Sequence, residues 1–318
     1  MKNLLALIGL ISLFAPGAFA ASATPLAGAA PLDSATLLAD VRTLSAPELA
    51  GRRTGSEGSK MAQVYIARRF EQIGIKPFGA NYAMPFAFTS LRGQVKTEYP
   101  AALNLVGHIR GSVHPERYMV VSAHYDHLGV QKGAAYLGAD DNASGVAAML
   151  AVAAYFKQNP PQNTIVFAAF DAEELGHHGA RALVKAAPFP IANVALNLNF
   201  DMVSRNDKNE IYAAGTRYTP SLKPLVAKAA ASSSVKVRLG HDSKVPGAPP
   251  DDDWTGQSDH AVFHEAGIAF LYFGVEDHAD YHQPSDSFEK IDPTFFAEVA
   301  RLLVSAAAIL DQNLDTLK

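Results

Sequence analysis

Five short stretches place metal-type side chains just beyond apolar runs. They are His124 and Asp126 in S-A-H-Y-D-H, Asp141 in G-A-D-D-N-A-S-G, Glu173-Glu174 in F-D-A-E-E, Asp201 in N-F-D, and His282 in D-Y-H-Q-P. Two imidazoles and several carboxylates are what a pair of Zn²⁺ ions with an activated water needs, and the chemistry implied is hydrolysis. Each piece alone has an ordinary structural reading. His124 could be a hydrogen-bonded structural histidine, and Asp141, Asn142 and Ser144 all suit a helix cap. Glu173-Glu174 could serve a helix dipole, Asp201 a turn and His282 a surface loop.

What separates the two readings is the set of elements that carry these residues. Apolar runs predict strands over Ala102–Ile109, Tyr118–Ser122, Thr164–Phe170, Val194–Phe200, Val235–Leu239 and Ile268–Phe273. Helical spacing predicts helices over Ser34–Leu44, from a Ser56 cap to Ile73 with Gly74 as its stop, Gly145–Gln158, Gly179–Ala186, Ser221–Ser232, Asp259–Ala266 and Pro293–Leu310. Near-continuous apolar strands alternating with helices imply an α/β fold, a mostly parallel central sheet sandwiched by helices. Ligands of such sheets bind beyond the carboxyl ends of the strands. His124, Glu173-Glu174 and Asp201 each follow a predicted strand, so three strands deliver metal-type groups to one edge.

The first twenty residues are expected to be a cleaved leader: Lys2, an apolar stretch from Leu4 to Phe14, and the small-x-small site Ala18-Phe19-Ala20. A secreted or periplasmic location follows from that expectation. Residues 21–33 read as a flexible lead-in and 34–318 as a single domain, with no internal repeat. Cysteine is absent, so an exported chain would rely on core packing and metals rather than disulfides. The formal charge of −4 gives no basic surface for nucleic acid or anionic lipid, and no later apolar run reaches the length of an uninterrupted membrane helix. Oligomeric state is not legible.

Residues Leu49 to Ser287 resemble the co-catalytic zinc aminopeptidases of the M28 peptidase family. The resemblance is carried by L-A-G-R-R-T-G-S-E-G, A-H-Y-D-H-L-G, G-A-D-D-N-A-S-G-V-A, F-D-A-E-E-L-G, N-F-D-M-V, S-D-H-A-V-F and Y-H-Q-P-S-D, in the family's order. Many relatives insert a protease-associated domain before the first histidine, and the stretch from Ala83 to Ala102 is too short for one. The resemblance implies two Zn²⁺ per chain. His124 and Asp201 would hold one and Glu174 and His282 the other, with Asp141 bridging. It further implies Glu173 as general base, Asp126 as the carboxylate that orients His124, Tyr281 as a donor to the developing oxyanion, and a cis peptide after Asp141.

The implied activity is an exopeptidase that removes the N-terminal residue of peptides, the free amine met by carboxylates such as Glu173 and Asp201. A carboxypeptidase or N-acyl-amino-acid amidohydrolase would keep the metals and need a basic anchor, for which Arg205 is the nearest basic residue in sequence. Glutaminyl cyclase, a single-zinc relative, fits poorly with a full ligand set. A non-catalytic binding domain on the same scaffold fits poorly with an intact Glu173. The pocket for the cleaved residue is expected to be apolar, drawn from Trp254, Phe270, Tyr272 and Phe273. Asp259 reads as a pocket or cap residue, His127 as a neighbour of the cluster, and His177 and His178 as substrate donors or exposed groups. His108, His114, His241, His264 and His278 show no partner pattern. The stretch from His241 to Gln257 reads as a loop at the mouth of the site, and Asp251-Asp252-Asp253 as a solvated acidic loop in preference to a calcium site.

Overall fold

The computed structural model describes residues 32–243 and 252–317; the expected leader, most of the lead-in and Asp251 lie outside them. Helix α1 (Ser34–Leu44) starts where the Asp33 carboxylate accepts the Thr36 amide. Helix α2 (Glu57–Ile73) runs from the Ser56 cap to Gly74, whose φ of 87° is the left-handed stop that glycine adopts without a Cβ clash. There follow β1 (Lys76–Pro77), β2 (Ala83–Arg92), β3 (Val95–Ile109), β4 (His114–His124), β5 (Gly129–Gln131) and β6 (Ala134–Tyr136). Next come α3 (Gly145–Gln158), β7 (Asn163–Phe170), α4 (His178–Ala186), β8 (Val194–Phe200) and β9 (Glu210–Ala214). The chain continues with α5 (Leu222–Ala230), β10 (Lys236–Leu239), α6 (His260–Glu265), β11 (Phe270–Gly274) and α7 (Pro293–Asp311).

Among the described residues one nine-stranded sheet runs β1-β3-β7-β4-β8-β11-β9-β10, with β2 paired to β3. The centre, β7-β4-β8-β11, is parallel as the strand–helix alternation predicts. Both margins turn antiparallel: β3 against β7 on one side and β9 against β11 on the other. At the margins, sequence patterning found β10 and the second half of β3 but missed β1, β2, the first half of β3 and β9. Residues between Tyr82 and Ala102 form the hairpin β2–β3, whose largely exposed strands show no apolar run. Strand β9 is five residues long, too short to register as a period.

The sheet is buried on both faces. On β7, Ile165, Phe167 and Ala169 pack with α2, α3 and α7 residues, while Val166, Ala168 and Phe170 face Ala180 and Leu183 of α4 and Phe263 of α6. Alternate side chains of a strand point to opposite faces, so an apolar residue at every position is the signature of a covered strand. Burying each of the larger ones contributes about 1.5–3 kcal/mol. Helix α7 is long and apolar enough to cross a membrane by composition, and most of it is buried in this core. A polar ladder runs between the central strands: Asn197 Nδ2 donates to Ser122 Oγ at 2.8 Å, Ser122 Oγ to Asn199 Oδ1 at 2.6 Å, and Asn199 Nδ2 to Ser258 Oγ at 3.0 Å. This ladder fixes β4, β8 and the start of α6 against one another beneath the carboxyl edge.

Candidate active site

Because β7, β4, β8 and β11 are parallel, their carboxyl ends share one edge, and every proposed ligand arrives there. His124 ends β4, Glu173 and Glu174 follow β7, Asp201 follows β8, and His282 lies in the loop after β11. Asp141 sits in the turn Ala139–Ser144 that opens α3. The peptide between Asp141 and Asn142 is cis, as the resemblance implied. Asn142 stitches this turn to the end of β8: its Nδ2 donates to Phe200 O at 2.9 Å, and its Oδ1 accepts the Gly145 amide at 2.9 Å.

The Asp141 carboxylate faces both ways. Its Oδ1 is 3.3 Å from His124 Nε2, which is also 3.3 Å from Asp201 Oδ1. Its Oδ2 is 3.1 Å from His282 Nε2, which is 3.4 Å from Glu174 Oε2. Donors around a tetrahedral zinc with 2.0–2.1 Å bonds sit roughly 3.3 Å apart, so the residues fit one ion on each side. Glu173 Oε2 stands 4.0 Å from His124 Nε2, close to the cluster without joining it. His177 Nε2 lies 3.2 Å from Glu173 Oε1, which makes His177 a partner of that carboxylate.

Electrostatics favours dications here. Burial and the neighbouring carboxylates raise Glu173 well above the usual carboxylate range, although His124 opposes this. Burial would raise Asp141 too, but His127, His124 and His282 outweigh it and hold the carboxyl well below its ordinary value. Burial opposes charge on His282, yet Asp141 and Glu174 push it up to about 10. The buried guanidinium of Arg52 makes its hydrogen bonds to main-chain carbonyls: Tyr125 O at 2.8 Å, Leu44 O and Leu137 O at 2.6 Å, and Gly138 O at 2.9 Å. It therefore braces the backbone beside His124 and Asp141. Buried carboxylates packed this tightly are costly unless paired or metal-bound.

Several supporting residues differ from expectation. The shortest contact of His124 Nδ1 near Asp126 is 3.2 Å to the main-chain O, while the Asp126 carboxylate is 3.7 Å away. That carboxylate instead accepts the Glu173 amide at 3.0 Å. His278 has a partner that no sequence pattern announced, Asp140 Oδ2 at 3.0 Å from its Nε2. Asp286 accepts the amides of Asp140 and Asp141 at 3.0 and 3.1 Å, and Asp280 pairs with Arg205 at 2.6 Å. Three ties thus anchor the loop that carries His282. Arg205 belongs to a separate surface cavity with Lys290 and Asp292. Asp253 accepts from Thr255 N and Oγ1, and Asp252 Oδ1 lies 3.3 Å from His241.

The cluster opens into a cavity of about 650 Å³. The expectation of an apolar wall needs correction. Trp254 and Tyr272 line the cavity, but Phe270 and Phe273 are buried in the core, and Asp252, Glu276 and Asp277 make the wall acidic. Among the described residues no Lys or Arg lines it. His241, which showed no partner pattern, stacks on Trp254 at 3.8 Å in the same wall. Tyr281 lines the cavity and stacks on His282 at 3.9 Å, and burial raises its hydroxyl above the usual phenol range. Asp259 is buried beneath the site without a hydrogen-bond partner among the described residues, and burial raises it. His260 Nε2 donates to Trp254 O at 2.8 Å, and burial pushes the ring down to about 3, a structural histidine. His178 stacks on Phe88 at 4.0 Å, away from substrate duty.

Comparison with known proteins adds to this geometry. The chain is 29% identical over 215 residues to a probable zinc metalloprotease of Pyrenophora tritici-repentis, covering 56% of this chain and 47% of that one. It is 31% identical over 202 residues to aminopeptidase YwaD of Bacillus subtilis, covering 61% and 41%. The chain thus spans less than half the length of these relatives. In fold it is similar to BSAP, a zinc aminopeptidase from Bacillus subtilis, with a TM-score of 0.68, 18% identity, and 91% and 96% of the chains covered. It is equally similar to a Bacteroides thetaiotaomicron glutaminyl cyclase, with a TM-score of 0.68, 17% identity, and 87% and 98% covered. Structural likeness at this identity speaks for the fold alone. The model of peptidase family M28 matches residues 104–307, a span that contains every proposed ligand, and the chain belongs to that family.

Proposed function

We propose that this chain is an exported metallo-aminopeptidase that holds two Zn²⁺ ions and hydrolyses the first peptide bond of substrates with a free N-terminus. The observation that carries the reading is the two-sided Asp141 carboxylate, with His124 and Asp201 on one side and Glu174 and His282 on the other. When bound, the ions supply Lewis acidity toward the substrate carbonyl and lower the pKa of a water between them.

The chain's own residues do the rest. Glu173, beside the cluster and held by the Asp126 carboxylate through its amide, accepts the proton of the attacking water and passes it to the leaving amine. Tyr281 keeps its proton because burial raises its hydroxyl, so it serves as an O–H donor to the developing oxyanion. An acidic cavity favours a substrate α-ammonium and repels a terminal carboxylate. The absence of Lys and Arg among the described lining residues, with Arg205 engaged by Asp280, supports an aminopeptidase over a carboxypeptidase or deacylase. Export rests on the leader pattern of residues 1–20.

The test is cleavage of Leu-Gly-Phe beside its N-acetylated twin by zinc-loaded protein. Release of leucine from the free peptide alone is the expected result. Equal or faster reaction of the blocked peptide would replace this reading with a carboxypeptidase or deacylase.

A further inference from the structure

We infer that His127 is a third imidazole ligand of the metal centre, on the Glu174 side. The inference rests on the two-ion reading above and adds to it a residue three positions beyond His124. The His127 side chain is fully buried, and its Nδ1 lies 2.8 Å from Glu174 Oε1 and 3.6 Å from Asp141 Oδ2. Despite the first distance, neither ring nitrogen makes a hydrogen bond of acceptable geometry among the described residues. A buried nitrogen within 2.8 and 3.6 Å of two carboxylates, without a well-aligned hydrogen bond to either, is placed where a ligand to a shared ion would be. That is how ligands of one ion are arranged. Nδ1 of His127, Asp141 and Glu174 together form a cluster able to hold a metal.

The ring is given room by Gly138. A Cβ there would stand 2.6 Å from His127 Cδ2, and the residue has a φ of 60°. His282 approaches the same two carboxylates from the opposite side, at 3.1 and 3.4 Å. The two ring centroids are 5.9 Å apart and tilted by 59°. Imidazoles sharing one tetrahedral zinc at 2.0–2.1 Å have centroids roughly 5–6 Å apart, so both rings fit one ion.

The two positions are then unequal. His124, Asp141 and Asp201 give three donors and leave a place open, as catalytic zinc sites do. His127, Asp141, Glu174 and His282 give four, one protein donor more than the first position has. The buried His127 gives the second position a rigid anchor, whereas the His282 side chain is 37% exposed on its loop. The Glu174-side ion is accordingly the slower to exchange.

X-ray absorption fine structure at the zinc edge of the two-zinc protein counts the imidazoles. Three per chain is expected in the wild type and two in His127→Gln, whose second zinc should bind at least about tenfold more weakly by chelator competition. His127→Asp, which keeps a ligand atom, should recover much of that affinity. A wild-type count of two imidazoles, or an unchanged count in His127→Gln, overturns the assignment. If His127→Gln does not fold, the wild-type count decides alone. A wild type that binds no zinc would instead sink the proposed function, and a two-zinc protein with two imidazoles would sink only His127.

Discussion

The carboxylate of Asp126 accepts the main-chain N–H of Glu173 at 3.0 Å, joining the loop after β4 to the loop after β7. Asp126 is thus a positioning residue for the proposed base, and only its backbone carbonyl lies within hydrogen-bonding range of His124 Nδ1. Asp126→Ala should lower kcat by about 10–100-fold while zinc content stays at the wild-type level. Parallel loss of zinc in elemental analysis would show that the carboxylate serves His124 instead.

Glu173→Gln should retain its zinc and lose about 10²–10⁴-fold in kcat, the usual worth of a positioned general base. Near-wild-type turnover in a metal-replete variant would remove Glu173 from its role. Asp141→Ala should by contrast empty both metal positions. Two zincs per chain in that variant would refute the bridging assignment.

Zinc affinity should rise with pH. In the metal-free protein Asp201 and Glu173 outweigh burial and raise His124 well above its ordinary value, and His282 is pushed up to about 10. Both shifts favour the protonated ring, and ligation must release such a proton. The folding linkage has the same origin. A raised histidine contributes stability that is complete below about pH 6.5 and is lost as pH climbs through the folded value. Calorimetry in two buffers of different ionisation enthalpy should show proton release at pH 7. Affinity that does not change between pH 6 and 8 would contradict this.

Arg52→Met should destabilise the fold by at least about 3 kcal/mol, since it strands four main-chain carbonyls, three of them at buried positions. Urea denaturation of the chelated protein measures it. A loss below about 1 kcal/mol would mean that water replaces the guanidinium.

His278→Ala removes the tie between the His282 loop and Asp140, and weaker zinc binding by roughly tenfold is the expected outcome. A competitive zinc indicator reports it directly. Unchanged affinity would assign the anchoring of that loop to Asp286 and Arg205.

The sequence by itself determined the central strands, the covering helices and the residues that converge at the carboxyl edge. Its information is local and periodic: apolar runs such as T-I-V-F-A-A-F fix a covered strand, and parallel pairing then fixes which end the following Glu173 occupies. The division of ligands between two ions was implied only by the resemblance to the family. Tertiary structure decided what no spacing encodes. Whether Asp126 faces His124 or Glu173 depends on the rotation of a side chain between two loops 47 positions apart. The partners of His278 and His127 come from segments far along the chain, so no nearby residue announces them. The acidic wall of the cavity likewise arises from where Glu276 and Asp252 are brought together, while Phe273 turns into the core because it points to the face of β11 opposite Tyr272, and Phe270, on the Tyr272 face, is buried beside Ala214.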